Sequence, residues 1–367
     1  MTYSMSRQIL FFSEVNWDYL RQRHHFFSEL YSNKNKVFYF GKIGLRYPKF
    51  SDFNSFKLST KKEEVGLPEN IIFPKIIFLP PLNLIFNLIN RLFRIPKILS
   101  FLDKKSDVVL HFYQPTKLII DLIDILKKNN FKVKIIYDCV QDYRYHPGTN
   151  DTIIKNEIDL VKKSDIVIAD SVINLDRLKD YTDDILLIPP GVDLEHFKIP
   201  LKVNEIVKTS KIKLLYYGNI RKDLDIDLIN KISEYKNIEL TLVGLLNINP
   251  SILSNNIRVL PSVPYKDLPL LISNFDSLLL PYDINNIFTQ AIIPAKFYEC
   301  LATMLPVFSV KMKSTSDYHN LLNIINLNTD FKKLKISKLT INEINQRNNI
   351  INSCSWESRF NLFYNEI

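Results

Sequence analysis

The sequence predicts an α/β protein made of two doubly wound domains, each with a parallel sheet covered by helices. Short β-branched runs alternate with helical patterns almost from end to end, which is typical of buried parallel strands and their crossover helices. The length of 367 residues is too great for one ordinary hydrophobic core. A turn-rich, polar segment between Pro189 and Lys211 is the expected boundary between the two domains.

Six runs in the first part of the chain are predicted as buried parallel strands with helices between most of them. They are QILFFSEV (8–15), KVFYFGKI (36–43), DVVLHFY (107–113), KVKIIYDCV (132–140), DIVIADS (165–171) and ILLIPPG (185–191). A second series follows: KIKLLYYGNI (211–220), IELTLVGLL (238–246), NIRVLPSV (256–263), SLLLPYD (277–283) and LPVFSV (305–310). The ending SWESRFNLFYNEI (355–367) is predicted as an amphipathic helix.

Composition restricts the class of protein and its partners. The formal charge of +9 favours anionic partners, namely nucleic acid, phosphorylated substrates or an anionic membrane surface. No basic stripe interleaved with aromatics and no nucleic-acid-reading motif is present, so we expect no nucleic-acid partner. The three cysteines show neither a disulfide framework nor a zinc pattern, and the N-terminus lacks a secretory signal, so we expect a cytoplasmic protein.

Two interpretations remain open for the apolar stretch 76–90 and the basic sequence RLFRIPKILSFLDKK that follows it. The uncharged stretch is shorter than the roughly 20 residues of a spanning helix and contains two prolines. Basic residues among Leu, Ile and Phe are expected of an interfacial helix on anionic lipid, which would make the protein peripheral at the membrane. A helix with an inward apolar face and a solvated basic face has the same pattern.

Glycine is scarce, with seven residues in the chain, and each one is expected where the backbone needs special freedom or close approach. The absence of G-x-G-x-x-G and of the P-loop pattern argues against a dinucleotide dehydrogenase and a Walker-type nucleotide hydrolase. Gly218 and Gly244 each close a strand of the second domain, where a backbone could approach a phosphate. Arg221 and Lys222 follow Gly218 and are the candidates for a pyrophosphate clamp.

The segment AIIPAKFYECL (291–301) places Lys296 and Glu299 in an apolar run. Pro294 is favoured at a helix start, so both side chains are expected on one outward face near a helix N-terminus, where anions are attracted. One interpretation is a surface ion pair. The other is a phosphate held by Lys296 while Glu299 accepts hydrogen bonds from sugar hydroxyls.

Several of these segments together resemble the retaining, family 4-like glycosyltransferases of the GT-B fold. They are IPPGVDLEHF (188–197), SDIVIADS (164–171), LLYYGNI, ELTLVG, YKDLPLLISNFDSLLLPY (265–282) and PAKFYECLA, in the family's order and spacing. The resemblance covers nearly the whole chain and is most specific from Tyr265 to Pro306. The segment WDYLRQRHHFFSELY (17–31) is similar to a bacterial subgroup that makes surface polysaccharides, in which an arginine, here Arg23, faces the cleft.

The resemblance implies two Rossmann-like domains facing an interdomain cleft. Residues 1–195 would bind the acceptor, 196–345 the nucleotide sugar, and a helix at 346–367 would cross back to the first domain. The implied enzyme is a hexosyltransferase that moves sugar, with retention, from a nucleotide-sugar donor to a glycan or lipid-linked acceptor of an O-antigen or capsule. It implies no cofactor, because the nucleotide sugar is a substrate, and it requires no metal, because fixed cations and a helix dipole would stabilise the leaving diphosphate.

By the same resemblance, Glu299 would bind the donor ribose hydroxyls, and Arg221 and Lys296 would neutralise the leaving diphosphate. The other donor-binding candidates are Gly218, Lys222 and Gly244. The family commonly has two glutamates eight positions apart, but Ala291 stands where the first would be. No catalytic nucleophile is therefore named, and front-side displacement is the expected mechanism.

In the first domain, the loop YDCVQDYRYHPG follows a strand and supplies candidates for orienting the acceptor hydroxyl or the sugar. Asp142, His146 and His111 are the candidate catalytic residues, and Asp138 is a candidate for the acceptor or cleft. Each of them could equally be a loop hydrogen bond or a satisfied core histidine.

Three other interpretations fit parts of the sequence. The Asp-x-Asp spacing in DLDID (223–227) suits a metal, but it lies at a predicted helix start, where acidic residues are favoured anyway. A sugar-nucleotide epimerase would share the architecture. A catalytically inactive GT-B scaffold of a polysaccharide assembly complex is suggested by Ala291.

Overall fold

The chain divides into two compact units in the computed structural model. Unit 1 comprises Met1–Pro189 and Phe360–Ile367, and unit 2 comprises Pro190–Arg359. The structure describes residues 7–45, 68–145, 149–199, 211–286, 289, 293–334 and 336–367. Among the described helices, none combines the length and the apolar character needed to cross a bilayer.

Unit 1 is built on a parallel sheet of seven strands in the order β3-β2-β1-β4-β5-β6-β7. The strands are β1 Gln8–Phe12, β2 Lys36–Phe40, β3 Ile71–Ile72, β4 Val108–Phe112, β5 Val133–Cys139, β6 Ile166–Ala169 and β7 Ile185–Leu187. The strand order reverses between β1 and β4, and ligands of such sheets bind outside the carboxyl ends of the strands at this point.

The helices of unit 1 cover both faces of this sheet, as expected for right-handed crossovers. They are α1 Arg23–Ser32, α2 Leu84–Ile89, α3 Ile95–Leu99, α4 Lys117–Lys128, α5 Asp151–Lys163 and α6 Val172–Leu178. A π-helical segment, Asn90–Arg94, joins α2 to α3. The core between sheet and helices is aliphatic and aromatic throughout, with Leu110, Phe112 and Leu122 fully buried.

Unit 2 contains a parallel six-stranded sheet in the order β10-β9-β8-β11-β12-β13, with its reversal between β8 and β11. The strands are β8 Ile212–Tyr217, β9 Ile238–Val243, β10 Arg258–Leu260, β11 Ser277–Leu280, β12 Val307–Ser309 and β13 Asn323–Ile324. The helices are α7 Leu194–Phe197, α8 Ile226–Ser233, α9 Leu268–Ile272, α10 Lys296–Ala302, α11 Ile341–Ser353 and α12 Trp356–Tyr364. The described part of unit 2 also contains the 3₁₀ helices Pro250–Ile252, Tyr265–Asp267, Lys313–Leu321 and Phe331–Lys333.

The predicted fold class is confirmed, since both sheets are parallel and doubly wound. The eleven predicted strands are all present; two short edge strands, β3 and β13, were not predicted because two residues carry no readable periodicity. The single helix expected at 346–367 is two helices, since α11 ends at Ser353 and α12 begins at Trp356. The end of α12 lies in unit 1, where Phe360 and Phe363 pack on Phe27 of α1.

Candidate functional site

Two glycines shape the carboxyl end of the unit 2 sheet. Gly218 follows β8 with a φ of 119°, and Gly244 follows β9 with a φ of 151°, a region that favours glycine. A Cβ at Gly244 would overlap the carbonyl group of Gly218, and a Cβ at Gly218 would overlap the Lys296 side chain. The lysine therefore lies directly against backbone that has no side chain.

Lys296, the first residue of α10, is half-buried between Gly218 and the aromatic ring of Tyr216. Its Nζ lies 5.6 Å from the centroid of that ring. Burial opposes the charged form, but Tyr216, Tyr282 and Glu299 outweigh it and raise the pKa of Lys296 above its usual value. The ammonium group is thus a fixed cation at neutral pH.

Glu299, one turn further along α10, accepts a hydrogen bond of 3.0 Å from the Tyr217 hydroxyl at the end of β8. Burial raises the pKa of Glu299 to about 7, against the opposing effects of Lys296 and of that hydrogen bond. The expectation of an outward-facing pair is wrong, because both side chains are half-buried against β8. Within this described segment, Lys296 and Glu299 form no ion pair closer than 4 Å.

Arg221 and Lys222 are exposed in the loop after β8. The Arg221 guanidinium is paired with Asp223, at 2.5 Å between Nη2 and Oδ2. Asp225, in the same acidic run, accepts the Leu228 backbone N–H at 2.9 Å and so caps α8. The acidic run DLDID therefore pairs with Arg221 in the loop and caps the start of α8. Among the described residues, no three His, Cys, Asp or Glu side chains converge as ligands of a metal would.

A buried polar cluster lies at the strand ends of unit 1. The Asp138 carboxylate in β5 accepts a hydrogen bond of 2.7 Å from Arg23 Nε, and His111 Nε2 lies 3.4 Å from the same oxygen. Burial alone would raise the pKa of Asp138, but Arg23 and His111 outweigh it and lower that pKa to about 2. Arg23 also donates to the carbonyl of Ile188, at 2.8 Å.

His111, a candidate catalytic residue, is fully buried within β4, and Tyr31 OH lies 3.1 Å from its Nδ1. Burial lowers the pKa of His111, so the imidazole is neutral near pH 7. Both ring nitrogens have partners in this cluster. The geometry makes His111 a positioning residue for Asp138, because Tyr31 and Asp138 engage its two ring nitrogens and leave neither for an acceptor hydroxyl.

Several polar atoms of this cluster have no hydrogen-bond partner within the described part of unit 1. They are Arg23 Nη2, Asp138 Oδ1 and both ring nitrogens of His24. His24 is 2% exposed, and its ring packs at a tilt against Tyr113, with ring centroids 3.9 Å apart. Burial lowers the pKa of His24 well below its usual value, so the ring is neutral. Buried polar groups of this kind are normally satisfied by protein, water or a ligand.

Asp142, another candidate catalytic residue, is bound to two guanidinium groups. Arg144 Nη2 lies 2.6 Å from its Oδ2, and Arg177 Nε lies 3.8 Å from the same atom. Burial would raise the pKa of Asp142, but these arginines lower it, which makes the carboxylate a weak base. His146, Gln290 and Ala291 lie outside the described residues.

Sequence reasoning missed four polar residues at these strand ends, namely Glu14, His24, Asp170 and Tyr217. Burial raises the pKa of Glu14 to about 7, and Gln141 Nε2 donates to its carboxylate at 2.9 Å. Asp170 is held by Asn174 at 2.8 Å. For Glu14, Asp170 and Tyr217 the available signal was a place near the carboxyl end of a predicted strand, since these ends share one edge of a parallel sheet, whereas His24 lies within α1 and had no such signal.

No protein-family model matches the sequence, and no curated protein is detectably similar to it. The fold is similar to that of sucrose-phosphate synthase from Thermosynechococcus elongatus, with a TM-score of 0.62, 12% identity and 98% of each chain covered. It is also similar to α,α-trehalose 6-phosphate synthase from Burkholderia multivorans, with a TM-score of 0.60, 8% identity and 98% of each chain covered. A third is α,α-trehalose-phosphate synthase (UDP-forming) from Burkholderia vietnamiensis, with a TM-score of 0.60, 10% identity, and 100% of this chain and 99% of that chain covered. At such identities the likeness establishes the fold alone, the GT-B type.

Proposed function

We propose that the protein is a glycosyltransferase that moves a sugar from a nucleotide-sugar donor to a glycan or lipid-linked acceptor. One observation carries the proposal: Lys296, Glu299 and two backbone-exposing glycines come together at the carboxyl ends of β8 and β9. This edge of a doubly wound sheet, beside the reversal of strand order, is where nucleotides bind. The likeness to sugar-phosphate synthases adds support at the level of the fold.

The chemistry of this cluster suits a sugar diphosphate leaving group. The transfer breaks the bond between the sugar and the diphosphate, so negative charge grows on a diphosphate oxygen in the transition state. A fixed ammonium at Lys296, beside backbone that a phosphate can approach closely, stabilises that charge. Arg221 would join it after exchanging Asp223 for a phosphate, and Lys222 is exposed in the same loop.

Glu299 would bind the ribose of the donor. As a carboxylate it accepts hydrogen bonds from two vicinal hydroxyls, and the Tyr217 hydroxyl holds it in place. The two residues lie one helical turn apart, so the diphosphate and the ribose would be held by the same short helix.

The acceptor would be bound by the unit 1 cluster around Asp138. Arg23 Nη2, Asp138 Oδ1 and the His24 ring offer donors and an acceptor that the described protein leaves unpaired. We assign this cluster to hydroxyl groups of a glycan or lipid-linked sugar. A role in bacterial surface-polysaccharide synthesis, retention and independence of metal are part of the proposal and follow the resemblance of residues 17–31 and 188–306.

The first prediction concerns Glu299. We expect one of UDP-, GDP- or dTDP-glucose, at saturating concentration, to raise the melting temperature of the wild-type protein, because ligand binding to the folded state stabilises it. The Glu299→Gln variant should bind the same donor at least about tenfold more weakly, since the amide loses acceptor capacity. The Glu239→Gln variant, which changes an exposed carboxylate on β9, is the matched control and should bind as wild type.

Product analysis separates the alternatives. Transfer or slow hydrolysis of the bound donor supports the transferase. Conversion of the donor into another nucleotide sugar, without an acceptor, would indicate the epimerase. A well-folded wild-type protein that none of the three donors stabilises would overturn the proposal in favour of the scaffold.

The second prediction is a pH dependence. Burial raises the pKa of Glu299 to about 7, so the carboxylate fraction grows steeply between pH 6 and pH 8. Donor affinity, measured by titration calorimetry, should rise by up to about tenfold over this range, because the diphosphate stays fully ionised throughout. A similar rise in Glu299→Gln would show that another group is responsible.

A further inference from the structure

The segment Leu84–Leu99 forms one helical rod on unit 1, in which α2, the π-helical segment and α3 follow one another without a break in helical dihedrals. Pro96 explains the π-helical segment, because it has no N–H for the carbonyl one turn earlier, and the local register widens. Ile95 N–H then donates to the Asn90 carbonyl, five residues back. The rod is about 24 Å long, less than the hydrocarbon thickness of a bilayer.

The rod is anchored by one side only. Asn90 is 1% exposed and makes two hydrogen bonds with the backbone of Leu79, at 3.0 and 2.8 Å. Ile95 and Ile98 are fully buried in the unit 1 core. Arg91 Nη1 reaches Asp121 on α4 at 2.9 Å. These contacts fix which face of the rod points away from the protein.

The outward face is apolar. We call it the exposed apolar face, and its residues, with exposed fractions, are Leu84 86%, Ile85 69%, Leu88 55%, Leu92 54% and Phe93 64%. Leu84, Leu88 and Leu92 are spaced four apart and form one continuous stripe. Single exposed leucines are ordinary, but a contiguous row of five large side chains marks an interaction surface. The interpretation of an inward apolar face with a solvated basic side describes Ile95, Ile98 and Lys97, but it does not account for the five exposed apolar side chains.

The charges around this face have one sign. Residues 71–102 contain Lys75, Arg91, Arg94 and Lys97 and no Asp or Glu. Lys97 is exposed, Arg94 is half-buried, and Asp103, Lys104 and Lys105 follow just beyond the segment. Of the four cations in residues 71–102, only Arg91 forms an ion pair with a carboxylate of the described residues, and that carboxylate is Asp121.

We propose that the exposed apolar face docks the protein, lying flat, on an anionic lipid surface. The five side chains would enter the boundary between headgroups and acyl chains, while Arg94 and Lys97 meet the lipid phosphates. A second copy of this chain fits less well, because a twofold contact through this face would bring the same cations together without a carboxylate. The proposal goes beyond the transferase function and does not depend on it, although a lipid-linked acceptor would be reached at such a surface.

The test is flotation of the full-length protein with vesicles, in the absence of nucleotide sugar. The protein should bind vesicles that contain phosphatidylglycerol, bind phosphatidylcholine vesicles much more weakly, and lose binding as salt is raised. The double variant Leu88→Ser/Phe93→Ser should bind at least about tenfold more weakly, since two large apolar side chains no longer enter the lipid. The control Leu270→Ser/Ile341→Ser changes two unit 2 side chains that are more exposed than Leu88 and Phe93, and it should bind as wild type.

A charge variant tests the second half of the proposal. Lys97→Gln should weaken binding to phosphatidylglycerol vesicles severalfold, whereas Lys338→Gln, an exposed lysine of unit 2, should not. Absence of wild-type binding to anionic vesicles, or equal binding by the Leu88→Ser/Phe93→Ser variant, would overturn the proposal. A dimeric wild type that this variant makes monomeric would assign the face to a second copy instead. Donor binding in solution is measured without vesicles, so failure of either proposal leaves the other testable.

Discussion

Replacing Arg23 with methionine is expected to lower the free energy of unfolding of unit 1 by about 3–5 kcal/mol, because it leaves the buried Asp138 carboxylate without its cation. The wild-type pair has Nε and Oδ2 at 2.7 Å, with both side chains nearly inaccessible to water. Methionine keeps most of the volume of the arginine stem, so the loss reflects charge more than cavity formation. Denaturant unfolding followed by tryptophan fluorescence measures the change.

The pH dependence gives this prediction a second readout. The pKa of Asp138 is about 2 in the folded protein and about 4 when unfolded, so its ion pair contributes stability above pH 4 that is lost as the pH falls towards 2. In Arg23→Met the folded pKa of Asp138 moves above the unfolded value. The stability difference between the two proteins should therefore shrink as the pH is lowered from 6 to 3.

Two further variants test the assignment. Arg144→Met removes an exposed arginine paired with Asp142 and should cost less than about 1 kcal/mol. Arg23→Met/Asp138→Asn removes both charges and should regain part of the stability that the single variant loses. A small loss in Arg23→Met, independent of pH, would mean that water reaches Asp138 and satisfies it.

Gly244→Ala is the second change with a large expected effect. Alanine must adopt a φ of 151° there, and its Cβ would overlap the backbone carbonyl of Gly218, which no side-chain rotation can relieve. We expect a loss of about 2–5 kcal/mol in the free energy of unfolding of unit 2, from backbone strain and overpacking together. Thermal unfolding, compared with Leu245→Ala at the exposed neighbouring residue, measures it.

Gly218→Ala should impair donor binding more than stability, unlike Gly244→Ala, which should mainly lower stability. Its Cβ meets the flexible end of Lys296, which can move aside, so strain at a φ of 119° is the main cost to stability. Donor binding should suffer more, because the displaced ammonium no longer lies beside the exposed backbone. Equal loss of stability in both variants, with donor binding intact, would argue against the phosphate assignment of Lys296.

The strands were predictable because burial on both faces makes the central strands continuously apolar, as in DIVIADS and SLLLPYD. Gly218 and Gly244 were predictable as special positions, because they are rare and directly follow strands. The partner of each glycine was not predictable, since the close approach of Gly244 to Gly218 depends on how β9 pairs with β8. His24 was missed because a histidine within an aromatic helix has no pattern that distinguishes core from site.

By itself, the sequence determined two parallel α/β units, the absence of nucleotide-binding glycine motifs, and the position of Lys296 and Glu299 at one helix start. These features depend on periodicity and on residue type, which are local. The tertiary structure alone decided that Arg23 pairs with Asp138, that Glu299 has a pKa near 7, and that Leu84, Leu88 and Phe93 point outward. Each of these depends on which distant residues exclude water or supply a charge, and that is set by packing of the whole unit.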